Sequence, residues 1–172
     1  MITQMITETK KDIRSLSLKD LRKFFTENQD KAFRGNQVYQ WLWQKGIHDF
    51  DGMTNLSKST RTLLQKNFII KHIDIDLQQK SRDGTIKNAV KLHDNLVVES
   101  VLIPTSNRTT ACVSSQVGCS LDCKFCATAK IKRMRNLNAD EIYDQVVAMD
   151  KQSRLYFDRP LSNIVFMGMG EP

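Results

Sequence analysis

No stretch of this sequence is long and apolar enough to cross a bilayer, and its opening residues, MITQMITETKKDIRS, carry no apolar core of a secretory leader. Both absences lead to the expectation of a cytoplasmic protein without a membrane partner. There is no internal repeat and no low-complexity tract, so a solenoid or a biased linker is not expected. Cysteine is missing before residue 112 and again after residue 126. Disulfides are disfavoured in a reducing compartment, and four thiols confined to CVSSQVGCSLDCKFC therefore direct attention to metal or redox chemistry.

What is present is an ordinary globular balance: 40% hydrophobic and 26% charged residues over a length of 172. That length suits one domain, or a small domain plus part of a larger one. The formal net charge of +7 attracts polyanions, with nucleic acid the natural partner, although many proteins of this class are moderately basic. The run KIKRMR places Lys130, Lys132, Arg133 and Arg135 directly after the last cysteine. Such a run is either a solvated face or a set of cations meeting phosphates at the mouth of a site.

Periodicity divides the chain. In SLSLKDLRKFF, Ser17 caps a helix with Asp20 at the capping-box position, and Leu18, Leu21 and Phe25 share a face. GNQVYQWLWQKG repeats the helical spacing at Val38, Trp41, Leu42 and Lys45 and ends at Gly46. A third helix, KSTRTLLQKNF, turns Leu63, Leu64 and Phe68 inward. Trp41 and Trp43 either fill this helical core or stack on bases. From Ile73 the period becomes two: Ile73, Ile75 and Leu77 alternate with Asp74 and Asp76. Asp83-Gly84 and Asp94-Asn95 then punctuate a three-stranded meander closed by Pro104. RTTACVSSQV reads as a buried strand, LNADEIYDQVVAMDKQ as a helix capped by Asn138 and Glu141 with Ile142, Val146 and Met149 on one stripe, and LSNIVFMG as a second strand. Strand, loop, helix, strand predicts a parallel βα unit.

Cys119, Cys123 and Cys126 form C-x3-C-x2-C on the loop after the first of these strands. Thiolates this close together can hold one iron-sulfur cluster, and three of them leave one iron of a 4Fe-4S cube open. A zinc-stabilised RNA-binding module is the competing reading and needs Cys112 as fourth ligand. Cys112 lies in the strand, farther from Cys119 than the usual zinc-knuckle spacing. An ordinary ferredoxin needs a fourth cysteine downstream, where none exists.

C-x3-C-x-F-C, with Phe125 before the last cysteine, resembles the radical S-adenosylmethionine (SAM) superfamily. MGMGEP at the end of the next strand resembles that superfamily's glycine-glutamate segment, with Gly170 and Glu171 at the matching positions. CVSSQVGC, CKFCATA and FMGMGEP together resemble the dual-specificity ribosomal and transfer RNA adenine C2-methyltransferases of the RlmN type. The helical half, with FRGNQVYQWLWQKG and MTNLSK, resembles their accessory RNA-binding domain. A C8-methylating resistance-type rRNA methyltransferase is the nearest alternative. Its pattern has cysteine where this chain has Val117 and lacks Pro172.

The resemblance implies an α/β architecture in three parts: a helical accessory RNA-binding domain (1–70), a β-meander extension (71–104) and the first part of a radical SAM partial (β/α)6 barrel (105–172). It implies a 4Fe-4S cluster on Cys119, Cys123 and Cys126, SAM chelated to the open iron, its amino group held by Gly170 and Glu171, and Phe125 near its adenine. Adenine C2 is an electron-poor carbon that cannot attack a methyl sulfonium, which is why such a family uses a radical. In the family a first SAM methylates a cysteine near the C-terminus, and a radical from a second SAM activates that methyl for addition to C2. A base then removes the C2 proton, and another cysteine releases the protein-RNA bond as a disulfide.

Cys112 matches the resolving cysteine, and a buried strand thiol is the plainer alternative. Glu99 matches the proton acceptor. In LVVESVLIP it shares a strand face with Val97, Val101 and Ile103, and apolar neighbours are expected to raise its pKa toward a useful base; an outward-facing edge carboxylate is the alternative. A loop aromatic tucked into the core is compatible with the role of Phe125. The implied partners are 23S ribosomal RNA, transfer RNA and a flavodoxin-like electron donor, with the protein a monomer. Because the methyl-carrying cysteine of the pattern and most of its barrel have no counterpart before Pro172, the chain is expected to be a fragment or a prematurely ended reading frame of a longer enzyme. By itself it is expected to bind a cluster poorly and not to methylate RNA.

Overall fold

A computed structural model of the protein describes residues 10–172; residues 1–9 of the expected helical domain lie outside that range. The chain divides into two compact units, one ending at Lys71 and the other running from His72 to Pro172.

The first unit is helical around a small clasp. Strand β1 (Lys11–Asp12) pairs in parallel with β2 (Phe68–Ile69) and brings the two ends of the unit together. Between them lie α1 (Leu18–Glu27), α2 (Phe33–Trp43) and α3 (Lys58–Asn67). Helix α1 begins where the sequence predicts. The Asp20 N–H donates to Ser17 Oγ at 3.2 Å and the Ser17 N–H to Asp20 Oδ2 at 3.1 Å, so two otherwise orphaned donors are satisfied. Ile13, Leu21, Phe25, Val38, Leu42 and Leu64 form the buried core. Trp41 and Trp43 are half-buried against it, with Trp41 donating its indole N–H to Asn55 and lying under the Lys45 ammonium at 3.5 Å. Phe68 is buried as expected, but from β2 rather than from a helix.

The second unit is built on a five-stranded sheet. Its strands are β3 (Asp74–Lys80), β4 (Ile86–Lys91), β5 (Val97–Pro104) and β6 (Thr109–Cys112), followed in the chain by a small antiparallel pair, β7 (Gln116–Val117) and β8 (Arg135–Asn136). Helix α4 (Ala139–Phe157) then leads to β9 (Asn163–Val165), and the large sheet runs β3-β4-β5-β6-β9. Its first three pairings are antiparallel and the last is parallel, with Ala111 opposite Ile164 and Cys112 opposite Val165. The meander and the βα unit therefore share one sheet. On one face Ile86, Leu102, Ala111 and Val113 pack against the Ile142, Val146 and Met149 stripe of α4. Among the described residues of this unit no helix packs on the opposite face, which carries the exposed Val97 and Ile103.

Two strand expectations need correction. A register shift between Ile75 and Leu77 breaks the alternation of β3, so Leu77 turns to the face opposite α4 and is 56% exposed rather than inward. RTTACVSSQV is a strand only to Cys112 and again, as β7, from Gln116, and LSNIVFMG ends at Val165, because the glycine-containing residues after β9 pack on Ser114 and interrupt regular pairing. No described helix is long and apolar enough to cross a membrane.

Candidate functional site

The cysteine loop is pinched at its base by a glycine. Gly118 has φ +73°, and a Cβ there would lie 2.4 Å from the Lys132 carbonyl oxygen, so only glycine allows the two strands of the neck to approach. The Val117 carbonyl accepts from Met134 N–H at 2.8 Å and the Cys119 N–H donates to Ile131 at 3.2 Å, closing the loop between them. Cys119, Cys123 and Cys126 project from it as half-buried free thiols. Backbone N–H groups of Ala129 and Thr128 hold the Cys126 thiol below its ordinary pKa.

All three thiols line one pocket of about 290 Å³ together with Phe125, Gly170 and Glu171, every residue expected to bind cofactor. Its remaining wall is mostly apolar, from Leu121, Phe166 and Met167. Among the described residues no three His, Cys, Asp or Glu side chains stand close enough to hold a metal ion. The donor chemistry nonetheless fits an iron-sulfur cluster, since three free thiols on one closed loop face a common, largely apolar pocket. Phe125 is 94% exposed at the pocket rim, so the expected alternative of a loop aromatic tucked into the core is not what occurs.

Glu99 and Cys112 lie on the face of the large sheet opposite α4. Val101 pairs with Cys112 across β5 and β6, and Glu99 is two residues from Val101, so strand alternation places all three on one side. Burial pushes the Cys112 thiol above its ordinary pKa, opposed by a hydrogen bond from the Met167 backbone. The apolar enclosure expected around Glu99 is absent. Its neighbours Val97 and Ile103 are themselves more than a third exposed, and its carboxylate is half exposed and paired with Lys87 Nζ at 2.6 Å. The reason is geometric: among the described residues of this unit no helix packs on this face of the sheet, whereas α4 packs on the other.

The basic run is not a uniform cationic face. Lys130, Lys132 and Arg133 are exposed, but Arg135 turns inward and bridges Glu141 at 2.7 and 2.8 Å and Asp94 at 2.8 Å. Burial acts to raise the Glu141 carboxyl, yet the Arg135 guanidinium and the Asn138 N–H outweigh it and hold the group below its ordinary value. The Arg135 guanidinium is stabilised in its charged form by the same bonds. Sequence reading also passed over Ser114, Gln116 and Gln145, which are buried and polar. The signal was available as SSQ, three polar residues inside a run read as a buried strand.

Residues 11–70 match the family model described as the ribosomal RNA large subunit methyltransferase N-terminal domain. The chain is 72% identical over 97% of its length to the probable dual-specificity RNA methyltransferase RlmN of Christiangramia forsetii, of which it covers 47%. It is 44% identical over 95% of its length to the dual-specificity RNA methyltransferase RlmN of Geotalea uraniireducens, covering 46% of that protein. The crystal structure of a radical SAM methyltransferase from Sphaerobacter thermophilus superposes with a TM-score of 0.80 at 36% identity, over 94% of this chain and 48% of that one. The chain thus spans about half the length of the relatives it matches.

Proposed function

We propose, from its 72% identity over nearly its whole length to an RlmN-type relative of which it spans about half, that the chain belongs to the RlmN-type dual-specificity RNA methyltransferases and serves radical SAM methylation of adenine C2 in 23S ribosomal RNA and transfer RNA through a methyl-cysteine intermediate. The observation that carries this reading is the single pocket lined by Cys119, Cys123, Cys126, Phe125, Gly170 and Glu171. In it the thiolates of Cys119, Cys123 and Cys126 would hold a 4Fe-4S cluster. When bound there, the cluster supplies one electron to the sulfonium of SAM, the chemistry that an unreactive C–H carbon requires.

The chain's own residues then bind, orient and shield. Gly170 and Glu171 hold the amino group of SAM, and Phe125 covers its adenine from the rim. The apolar wall of Leu121, Phe166 and Met167 limits water at the reacting centre. Glu99 accepts the C2 proton from the face opposite α4, with Lys87 orienting its carboxylate. Cys112, on that same face, resolves the protein-RNA bond, and its raised pKa keeps the thiol protonated until a partner draws the proton away. Strand β6, α4 and β9 form the first βα unit of a partial barrel whose interior is the face opposite α4. The basic helical unit docks RNA, a flavodoxin-like protein supplies electrons, and the protein works in the cytoplasm as a monomer.

The test is reconstitution with iron and sulfide in the absence of oxygen. The wild-type chain, although expected to hold a cluster poorly by itself, should still turn brown and take up more iron and sulfide than any cluster-cysteine variant. Cys119→Ala, Cys123→Ala and Cys126→Ala should each lose them, while Cys112→Ala should keep them. A colourless protein that takes up one zinc and needs Cys112 to do so would refute the reading in favour of a zinc module.

A further inference from the structure

The parallel pairing of β6 and β9 ends at Val165, yet the residues that follow remain attached to the strand leading into the cysteine loop. Backbone bonds make part of the attachment. The Gly168 N–H donates to the Val113 carbonyl at 3.1 Å, and the Ser115 and Gln116 N–H groups both donate to the Met169 carbonyl. Side chains complete it. The buried Ser114 hydroxyl accepts from the Met169 N–H at 2.8 Å and donates to the Glu99 carbonyl at 2.5 Å. The Gln116 carboxamide acts as a substitute peptide group: its Nε2 donates to the Glu171 carbonyl at 3.1 Å and its Oε1 accepts from the Glu171 N–H at 3.4 Å. Nε2 also reaches Asn136 Oδ1 at 3.1 Å, on the strand that closes the cysteine loop. Gln145 clamps Ser114 from α4, accepting from its N–H and donating to its carbonyl.

The fit around these side chains is tight. A Cβ on Gly168 would lie 2.6 Å from Ser114 Oγ, and one on Gly170 would lie 2.5 Å from Gln116 Cβ. Glycines at 168 and 170 are therefore what allow the two polar side chains to reach the facing backbone. A buried N–H without its acceptor carries the full desolvation cost, so Met169 cannot keep its place cheaply once the Ser114 hydroxyl is gone.

We infer that Ser114 and Gln116 are positioning residues, which fasten the Gly168–Glu171 wall of the pocket to the neck of the cysteine loop so that the SAM-binding wall and the cluster-binding wall move as one body. This deepens the proposed function and rests on reading the pocket as the site of SAM and its cluster. The fastening itself belongs to the chain with or without cofactor.

Native-state amide exchange on the 172-residue chain tests the fastening directly. Ser114→Ala is expected to speed exchange at Met169 about tenfold or more. The amides of Val98 and Leu102, in the middle of the sheet, should keep their rates. A Met169 rate that does not change, or that rises only in step with Val98 and Leu102, overturns the inference, since the effect is then absent or merely global. The second variant, Gln116→Glu, keeps the side-chain shape and one acceptor but cannot donate to Glu171 or Asn136. In reconstituted protein it should weaken SAM binding about tenfold with iron content unchanged. Equal SAM affinity at equal iron content overturns the positioning role. Failure of iron-loaded wild-type protein to bind SAM would instead overturn the reading of the pocket, with the exchange rates still deciding the fastening.

Discussion

Arg135→Ala is the perturbation whose cost the structure defines most directly. The guanidinium makes two parallel bonds to Glu141, whose side chain is 4% exposed, and a further one to Asp94 across the β4–β5 turn. Removing one partner of a fully buried ion pair costs about 3–5 kcal/mol, because the other charge is left desolvated. Here Arg135 is itself 26% exposed, so water can enter, and Glu141 keeps the Asn138 N–H at 2.8 Å and the favourable N-terminus of α4. These offsets bring the expected loss to about 2–3 kcal/mol, or a fall in melting temperature on the order of 10 °C for a unit of this size. Urea denaturation of Arg135→Ala, Glu141→Ala and the double variant measures it, with a coupling of about 1–2 kcal/mol expected. The exposed Lys130→Ala serves as control and should cost less than about 0.5 kcal/mol. The pH dependence has a definite sign. Glu141 and Asp94 are both held below their ordinary values of 4.5 and 3.8, so their contribution is complete above those values and is lost as pH falls through the lower folded ones. Arg135→Ala should therefore flatten the acid limb of the stability curve. A loss under about 1 kcal/mol, or negligible coupling, would refute the assignment of Arg135 as a buried structural cation.

Two shorter predictions address the site. Gly118→Ala forces both a left-handed backbone and a contact with the Lys132 carbonyl, so it should destabilise by roughly 3 kcal/mol or more and lower iron retention on reconstitution; a variant as stable as wild type would show that the neck can open without cost. Iodoacetamide at neutral pH should alkylate Cys119, Cys123 and Cys126 well before Cys112, whose thiol is buried and raised in pKa, as peptide mass mapping over time would show; equal rates would contradict the burial of Cys112.

Much of the local structure was legible in the residues. Ser17 with Asp20 and Asn138 with Glu141 mark helix starts because their side chains satisfy donors only a turn away. Gly84 and Asn95 mark the meander turns for a similarly local reason, the ease with which those residues take positive φ. The cysteine spacing and the glycine-glutamate segment were equally plain, and both line the same pocket. Leu77 and Glu99 were read less well. Alternation specifies which residues share a face, but not that a bulge reverses β3 or which face of the sheet α4 packs on.

What the amino-acid order settled alone is whatever depends on neighbours within a few positions: caps, turns, strand period and the clustering of three thiols on one loop. Tertiary packing decided the rest. It turned Arg135 from a surface cation into an internal anchor, opened the setting of Glu99, and joined Ser114 and Gln116 to residues more than fifty positions away. Burial and electrostatic field at a side chain come from elements distant in the chain, and no local pattern encodes which of them will arrive.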